Sequence, residues 1–194
     1  MAPLSTLIPL LLAALASALP DVTPVQLYAG TCAGYPNWPQ DGDRSGGFLL
    51  VPDQGDNSTV DGLITSVEAL NTTVVDVTTV VASARTILQC YDTAVNSLYT
   101  GVPLYIADTD GADNGELGYF AAGKTPEIYE HQIDGVTQSG VFLGYGGVTA
   151  WAYSFVPSLG GAGNFDWFAM RLLDAQDGAL NEGEFYGFLK VVAE

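Results

Sequence analysis

The chain has 194 residues, and 22 acidic against 5 basic side chains leave a net charge of −17 at pH 7. Such a field repels nucleic-acid phosphates and anionic membrane surfaces, so neither is expected as a main partner. Charged residues make up only 14% of the chain while Gly, Thr, Val and aromatics are abundant, a composition that suits strands and tight turns rather than a charged helical bundle.

Residues 4–15 are apolar except for Ser5, Thr6 and Pro9, and Ala16-Ser17-Ala18 has the small-x-small form of a cleavage site. The run is too short to span a bilayer and no stop-transfer stretch follows. Residues 1–18 therefore read as a cleaved secretory signal, and residues 19–194 as a single secreted domain. In that oxidising compartment Cys32 and Cys90 are expected to form one disulfide. Closing so long a loop stabilises a fold by about 4 kcal/mol on the chain-entropy model. Asn57-Ser58-Thr59 and Asn71-Thr72-Thr73 are sequons with no Pro in the middle, and behind a secretory signal both are expected to carry N-glycans. The last residues, 185–194, form a short apolar run without the polar spacer and long hydrophobic tail of a lipid-anchor signal.

Within the secreted part, residues 21–43 carry Pro24, Pro36 and Pro39 among several glycines and read as an irregular arm or edge region tied by Cys32. Phe48-Leu49-Leu50-Val51 is a short buried strand ended by Pro52. Over residues 59–88, Val60, Leu63, Val67, Leu70, Val74, Val77, Val81, Ala84 and Leu88 step by three and four, as a helical seam does. Against a helix stand the β-branched Thr and Val of residues 72–81 and Gly62 in the first turns. The preferred reading is a helix over 59–70 followed by a strand over 73–82, with a helix throughout as the alternative. From there, residues 102–106, 117–120, 127–131, 141–143, 149–155, 167–173 and 185–192 are short aromatic or β-branched runs separated by Gly-, Asp- and Asn-rich turns. The predicted fold is mainly β, an antiparallel β-sandwich or barrel with one helix around residues 59–70.

Few side chains suggest chemistry. Asp108, Asp110, Asp113 and Glu116 crowd one Gly-containing turn, and calcium takes six to eight oxygens of this kind. The helix-loop-helix calcium pattern is not met, because Ala112 and Asp113 occupy its fifth and sixth positions. Asp, Asn and Gly favour turns by themselves, so the expected form is a solvated hairpin, with a calcium site as the alternative. His131 is the single histidine, there is no Gly-x-Ser-x-Gly elbow, and a cysteine nucleophile would need a free thiol. His131 reads as a strand residue rather than a general base. No carboxylate pair stands out for glycoside chemistry, and no cofactor is implied. Three tryptophans and ten tyrosines offer stacking platforms for sugar rings. Trp151 and Trp167 lie in apolar runs and are expected in the core, whereas Trp38, between Asn37 and Pro39, is the expected exposed glycan contact.

Leu104-Tyr105-Ile106, the Gly-Asx turn, Gly115-Glu116-Leu117-Gly118-Tyr119-Phe120 and Gly123-Lys124-Thr125-Pro126 resemble a stretch of small fungal secreted proteins, the phialide-type and IgE-binding cell-wall proteins. Gly144-Tyr145-Gly146-Gly147 and Trp151-Ala152-Tyr153 sit where that family has a Gly-rich strand and an aromatic strand. The resemblance spans about residues 102–173, and it departs where the family usually has a cysteine and this chain has Ala152 or Tyr153. The Thr/Val pattern of residues 59–88 is more similar to the hydrophobic-surface-binding wall galactomannoproteins. Both resemblances imply secretion and a wall or host-facing role without established catalytic residues. The expectation is thus a secreted, non-enzymatic, fungal-type glycoprotein that meets cell-wall polysaccharide or an extracellular host protein. The alternative is a carbohydrate-binding module or glycan-active enzyme using exposed aromatics and carboxylates.

Overall fold

Alternating burial governs the architecture, and every helix or strand among the described residues is a β-strand. The computed structural model describes residues 20–40, 42–67, 73–78, 85–108, 114–158 and 166–194. Residues 1–18, read above as a secretory signal, and Asn71, Asp110 and Asp113 lie outside them. In chain order the strands are β1 (Thr23–Gln26), β2 (Phe48–Asp53), β3 (Ile64–Val67), β4 (Val75–Thr78), β5 (Leu88–Tyr91), β6 (Ala94–Ser97) and β7 (Tyr105–Ile106). They continue as β8 (Leu117–Gly118), β9 (Glu127–Ile133), β10 (Val136–Thr137), β11 (Val141–Gly144), β12 (Ala150–Val156), β13 (Trp167–Leu172) and β14 (Glu184–Ala193). The predicted mainly-β, antiparallel class is what the chain adopts.

One large sheet runs β1-β9-β11-β14-β12-β13-β4-β3, with β2, β5 and β6 branching from β14 and β10 from β9. β7 and β8 form a separate two-stranded sheet. The ten-residue β14 organises the large sheet. It pairs with β12 from Glu184 to Phe188 and with β11 at Lys190 and Val191. Along its other edge it pairs with β2, from Phe188↔Asp53 to Ala193↔Phe48. Side chains from many of these strands, among them Leu50, Val77, Leu143, Trp151 and Leu189, converge on one sandwich-like core. Its two large polar aromatics are paired: Trp151 Nε1–H donates to the Leu143 carbonyl at 2.9 Å, and the Tyr153 hydroxyl to that of Phe188 at 3.0 Å.

Several expectations need correction. Within the predicted helix 59–70, residues 59–62 belong to a turn and residues 64–67 are β3; residues 68–70 lie outside the described residues. The turn is closed by Val60 N–H to Asn57 O and Leu63 N–H to Val60 O. Gly62 then takes φ +77, which ends any helical course. From there β3 pairs residue for residue with β4, so cross-strand pairing of β-branched side chains overrides the three-four apolar spacing. The strand predicted over 73–82 is found as β4, with residues 79–82 outside the described set. Pro52 does not end β2, which continues to Asp53; at Pro52 the strand has a ladder neighbour on the β14 side only, where a missing N–H is tolerated. The described residues of the arm 21–43 are irregular apart from β1, which pairs with β9. Trp151 is fully buried as expected. Trp167 is not, because β13 alternates and places Phe168, Met170 and Leu172 inward, leaving Trp167 half-buried on the other parity.

Candidate functional site

Cys32 and Cys90 form the predicted disulfide, with Cα atoms 5.4 Å apart and both residues buried. It fastens the arm to β5, beside a backbone bond from Ser45 N–H to Cys90 O and a bond from Cys90 N–H to the Ser45 hydroxyl oxygen. Asn57 occupies an exposed turn, and its Oδ1 accepts from both the N–H (3.1 Å) and the hydroxyl (2.7 Å) of Thr59. The carboxamide is thus engaged through its oxygen. Of the acidic turn, Asp108 is exposed and held 3.1 Å from Lys124 Nζ. Glu116 lies in an isolated bridge with Arg171. Among the described residues no three His, Cys, Asp or Glu side chains gather at a metal-sized site. Trp38, expected to be exposed, is half-buried and packs against the main core, because the arm folds back under the disulfide instead of standing free.

His131 sits on β9 with 1% of its surface exposed. Its Nε2 lies 2.8 Å from Thr149 Oγ1, its ring stacks on Phe142 at 3.8 Å, and Phe188 meets it edge-on at 4.4 Å. Nδ1 has no partner, so the favoured tautomer carries its proton on Nε2 and leaves a bare lone pair buried. Burial lowers its pKa to about 4, opposed in part by the charge of Asp53. The imidazole is a neutral core ring walled off from solvent.

Two of the exposed aromatics, Tyr28 and Tyr145, line one cleft, whereas Tyr91, Tyr99 and Phe155 lie outside it. A cleft of about 490 Å³ opens between the loop after β1 and the segment leading into β9, lined by Tyr28, Thr93, Asp108, Lys124, Glu127 and Tyr145 among others. A second cleft of about 200 Å³ shares Lys124 and Tyr145 and extends to Asn114 and Asp174. Lys124 and Tyr145 therefore line both clefts, which lie side by side. Lys124 is fixed through its backbone, which exchanges two 2.9 Å hydrogen bonds with Ile106, and its ammonium lies 5.9 Å from the Tyr145 ring centre.

Tyr145 is presented by a tight turn. Tyr145 and Val148 exchange backbone hydrogen bonds across Gly146 (φ +59) and Gly147 (φ +84), the two-residue geometry that suits the twist of paired strands. Two side chains of β9 grip this turn from below. Glu127 Oε2 accepts the Gly146 N–H at 2.9 Å and the hydroxyl of Tyr129, and that hydroxyl accepts the Gly147 N–H at 2.9 Å. Burial, and then the Glu127 carboxylate, push the Tyr129 phenol above its usual range, so it stays protonated as a donor.

Tyr28 forms the opposite lip and is 61% exposed. Its backbone takes φ +44, a left-handed conformation that is uncommon for a bulky residue. The Tyr28 carbonyl accepts the N–H and the hydroxyl of Thr31, both at 3.1 Å. Its ring edge lies against Gly34, where an added Cβ would come within 2.7 Å of Cδ2. Two exposed tyrosines therefore line one cleft together with polar groups. That arrangement can stack the apolar faces of flat or ring-shaped ligands and hydrogen-bond their rims. Glu127 is engaged in the hairpin grip and Asp108 in the ion pair.

No family model matches the chain, and no curated protein is similar to it. The groove must be read from its own geometry. Sequence reasoning singled out the tryptophans and passed over Tyr28, Tyr145 and Lys124. A signal for the tyrosines exists in Tyr28-Ala29-Gly30 and Gly144-Tyr145-Gly146-Gly147, because a large aromatic set among glycines of a turn has little core to enter.

Proposed function

We propose that this protein is secreted and works outside the cell as a non-enzymatic, fungal-type glycoprotein that binds wall polysaccharide. The groove between Tyr28 and Tyr145 carries this reading. It offers exposed aromatic faces with polar groups between them, the combination that recognises sugar rings. The buried disulfide supports an extracellular site of action, as do the apolar signal-like residues 1–18 and the sequon at Asn57. Engagement of Glu127 by the hairpin and of Asp108 by Lys124 favours binding over hydrolysis.

Incubation of the secreted protein with insoluble glucan, chitin and mannan tests the reading. Saturable retention without release of reducing sugar is expected. Absence of retention on every polymer would overturn the reading, and release of reducing ends would replace it with a glycan-active enzyme. Secreted material should also lose mass on endoglycosidase treatment, and Asn57→Gln should remove one glycan's worth of that loss.

A further inference from the structure

Resting on the glycan-binding reading, we infer that the groove takes a neutral, extended oligosaccharide, laid across Lys124 with one sugar ring on Tyr28 and another on Tyr145. Three observations carry it. The first is adjacency: both clefts share Lys124 and Tyr145, so the cleft at Tyr28 and the one at Asn114 and Asp174 flank the same two residues, and together they offer more room than one sugar needs.

The second is strain. Tyr28 (φ +44) is an L-residue held in the left-handed region and lines the first cleft, whereas Thr93 (φ +67), which lines it too, takes its φ from the two-residue β5–β6 turn. A bulky or β-branched side chain is disfavoured there, where Gly or Asn fits at lower cost, and such outliers gather at ligand sites. Placing a tyrosine at position 28 is a poor choice for the backbone. It gives a ring that is mostly exposed yet fixed against Gly34, which is what a stacking platform requires.

The third is charge. Lys124 is the cation that both clefts share, and Asp108 neutralises it at 3.1 Å. Asp174 adds a carboxylate in the second cleft, 3.3 Å from Asn114 Nδ2. With the whole chain at −17, a polyuronate or sulfated glycan would meet net repulsion in the groove. A polycation would find Asp108, Glu127 and Asp174 already engaged, by Lys124, the hairpin amide of Gly146 and Asn114. A neutral chain needs no free countercharge, and its hydroxyls find donors and acceptors in Lys124, Asp108, Asn114 and Asp174.

Calorimetric titration of the folded, disulfide-intact protein tests this with neutral hexasaccharides of glucan, chitin and mannan type, hexagalacturonate and a chitosan hexamer. At least one neutral hexasaccharide should bind, with little change from low to high salt, and much more tightly than its monosaccharide. Tyr28→Asn and Tyr145→Ala should each weaken it about tenfold or more, whereas Tyr99→Ala, which removes a ring exposed by 78% outside the groove, should not. Tyr28→Asn relieves the left-handed strain, so its melting temperature should hold or rise while binding falls. That separates loss of the platform from loss of the fold. Preference for the acidic or cationic hexamer, strong salt dependence, or full binding by both groove variants would overturn the inference while leaving polysaccharide retention standing. Failure of every oligosaccharide together with failure of retention on insoluble polymers would remove the reading itself.

Discussion

His131 makes the strongest single-residue link between sequence and stability. Its ring fills a space between Phe142 and Phe188 that accommodates it only when neutral, and burial lowers its pKa from about 6.5 to about 4. In the unfolded chain the imidazole binds a proton below about pH 6.5, whereas the folded protein resists it to about pH 4. Across that window the unfolded state holds more protons, so stability must fall as the pH drops. With the opposing Asp53 charge already included, the loss approaches about 3 kcal/mol. Glu184 acts in the same direction. Burial raises its pKa, but the paired hydrogen bonds from Arg171 and the Asn181 N–H bring it below the usual carboxylate value. Its contribution is complete above the unfolded carboxylate range and is lost as the pH falls through its folded pKa. His131→Phe isolates the first effect, because a flat ring keeps the stack and cannot ionise. Urea midpoints compared between pH 7 and pH 4.5 should show a smaller acid loss in the variant than in the native chain. Equal losses would mean that His131 is not what limits acid stability.

At the scale of elements, the hairpin between β11 and β12 connects framework to groove. Its turn amides are satisfied by Glu127 and Tyr129 of the neighbouring β9, so a strand of the main sheet sets where Tyr145 stands. Tyr129→Phe keeps the buried ring and removes the hydroxyl, so the exposed Gly147 N–H exchanges its acceptor for water at a net cost of about 1 kcal/mol. Hydrogen exchange should quicken at Gly146, Gly147 and Val148 while the β9 amides at Tyr129 and His131 stay protected; uniform quickening would mean the hydroxyl supports the whole sheet and not the turn. The same region shows what could be read from the chain. The runs at 127–131, 141–143, 149–155, 167–173 and 185–192 appear as β9 and β11 to β14 with ends shifted by a residue or two, since apolar runs bounded by Gly and Asx residues leave little choice of element. β1 hid behind Pro24, which an edge strand accepts. The β5–β6 hairpin turns through Asp92 (φ +50) and Thr93 (φ +67) without a glycine, so the usual two-residue turn signal is absent. The apolar steps from Val60 to Leu88 suggested a helix because three-four spacing cannot register that β3 and β4 find each other across a turn. Tyr28 and Tyr145 were hard to single out for a related reason: residues distant in sequence share one groove only after β1 and β11 have both joined β9.

For the molecule as a whole, the disulfide is where stability and the proposed function meet. Cys32 and Cys90 are 58 residues apart in sequence, and the bridge fixes the arm that carries Tyr28 to a strand of the large sheet. On the chain-entropy model a loop of that size is worth about 4 kcal/mol, which for a chain of this length corresponds to a melting shift of about 10 °C. The effect on the groove should differ in kind from that on the core. β1 reaches the sheet through β9 alone, and beyond it the arm is held by the Leu27 N–H to Ile128 O bond, by short turns and by the bond from Gly46 N–H to Pro36 O. The β12–β14–β2 centre has ladders that do not depend on the arm. Replacing both cysteines by serine should therefore leave a folded core with a loosened lip. Well below the lowered melting temperature, near-ultraviolet signals from buried Trp151 and Tyr153 should persist while retention on neutral polysaccharide falls, and Tyr28→Asn should weaken retention less in this background than in the bridged protein. Additive losses would show that the bridge and Tyr28 contribute independently. A melting temperature within a degree or two of the native value would instead place the arm's stability in its own packing, with Trp38 and Tyr35 against the core holding what the disulfide was expected to hold.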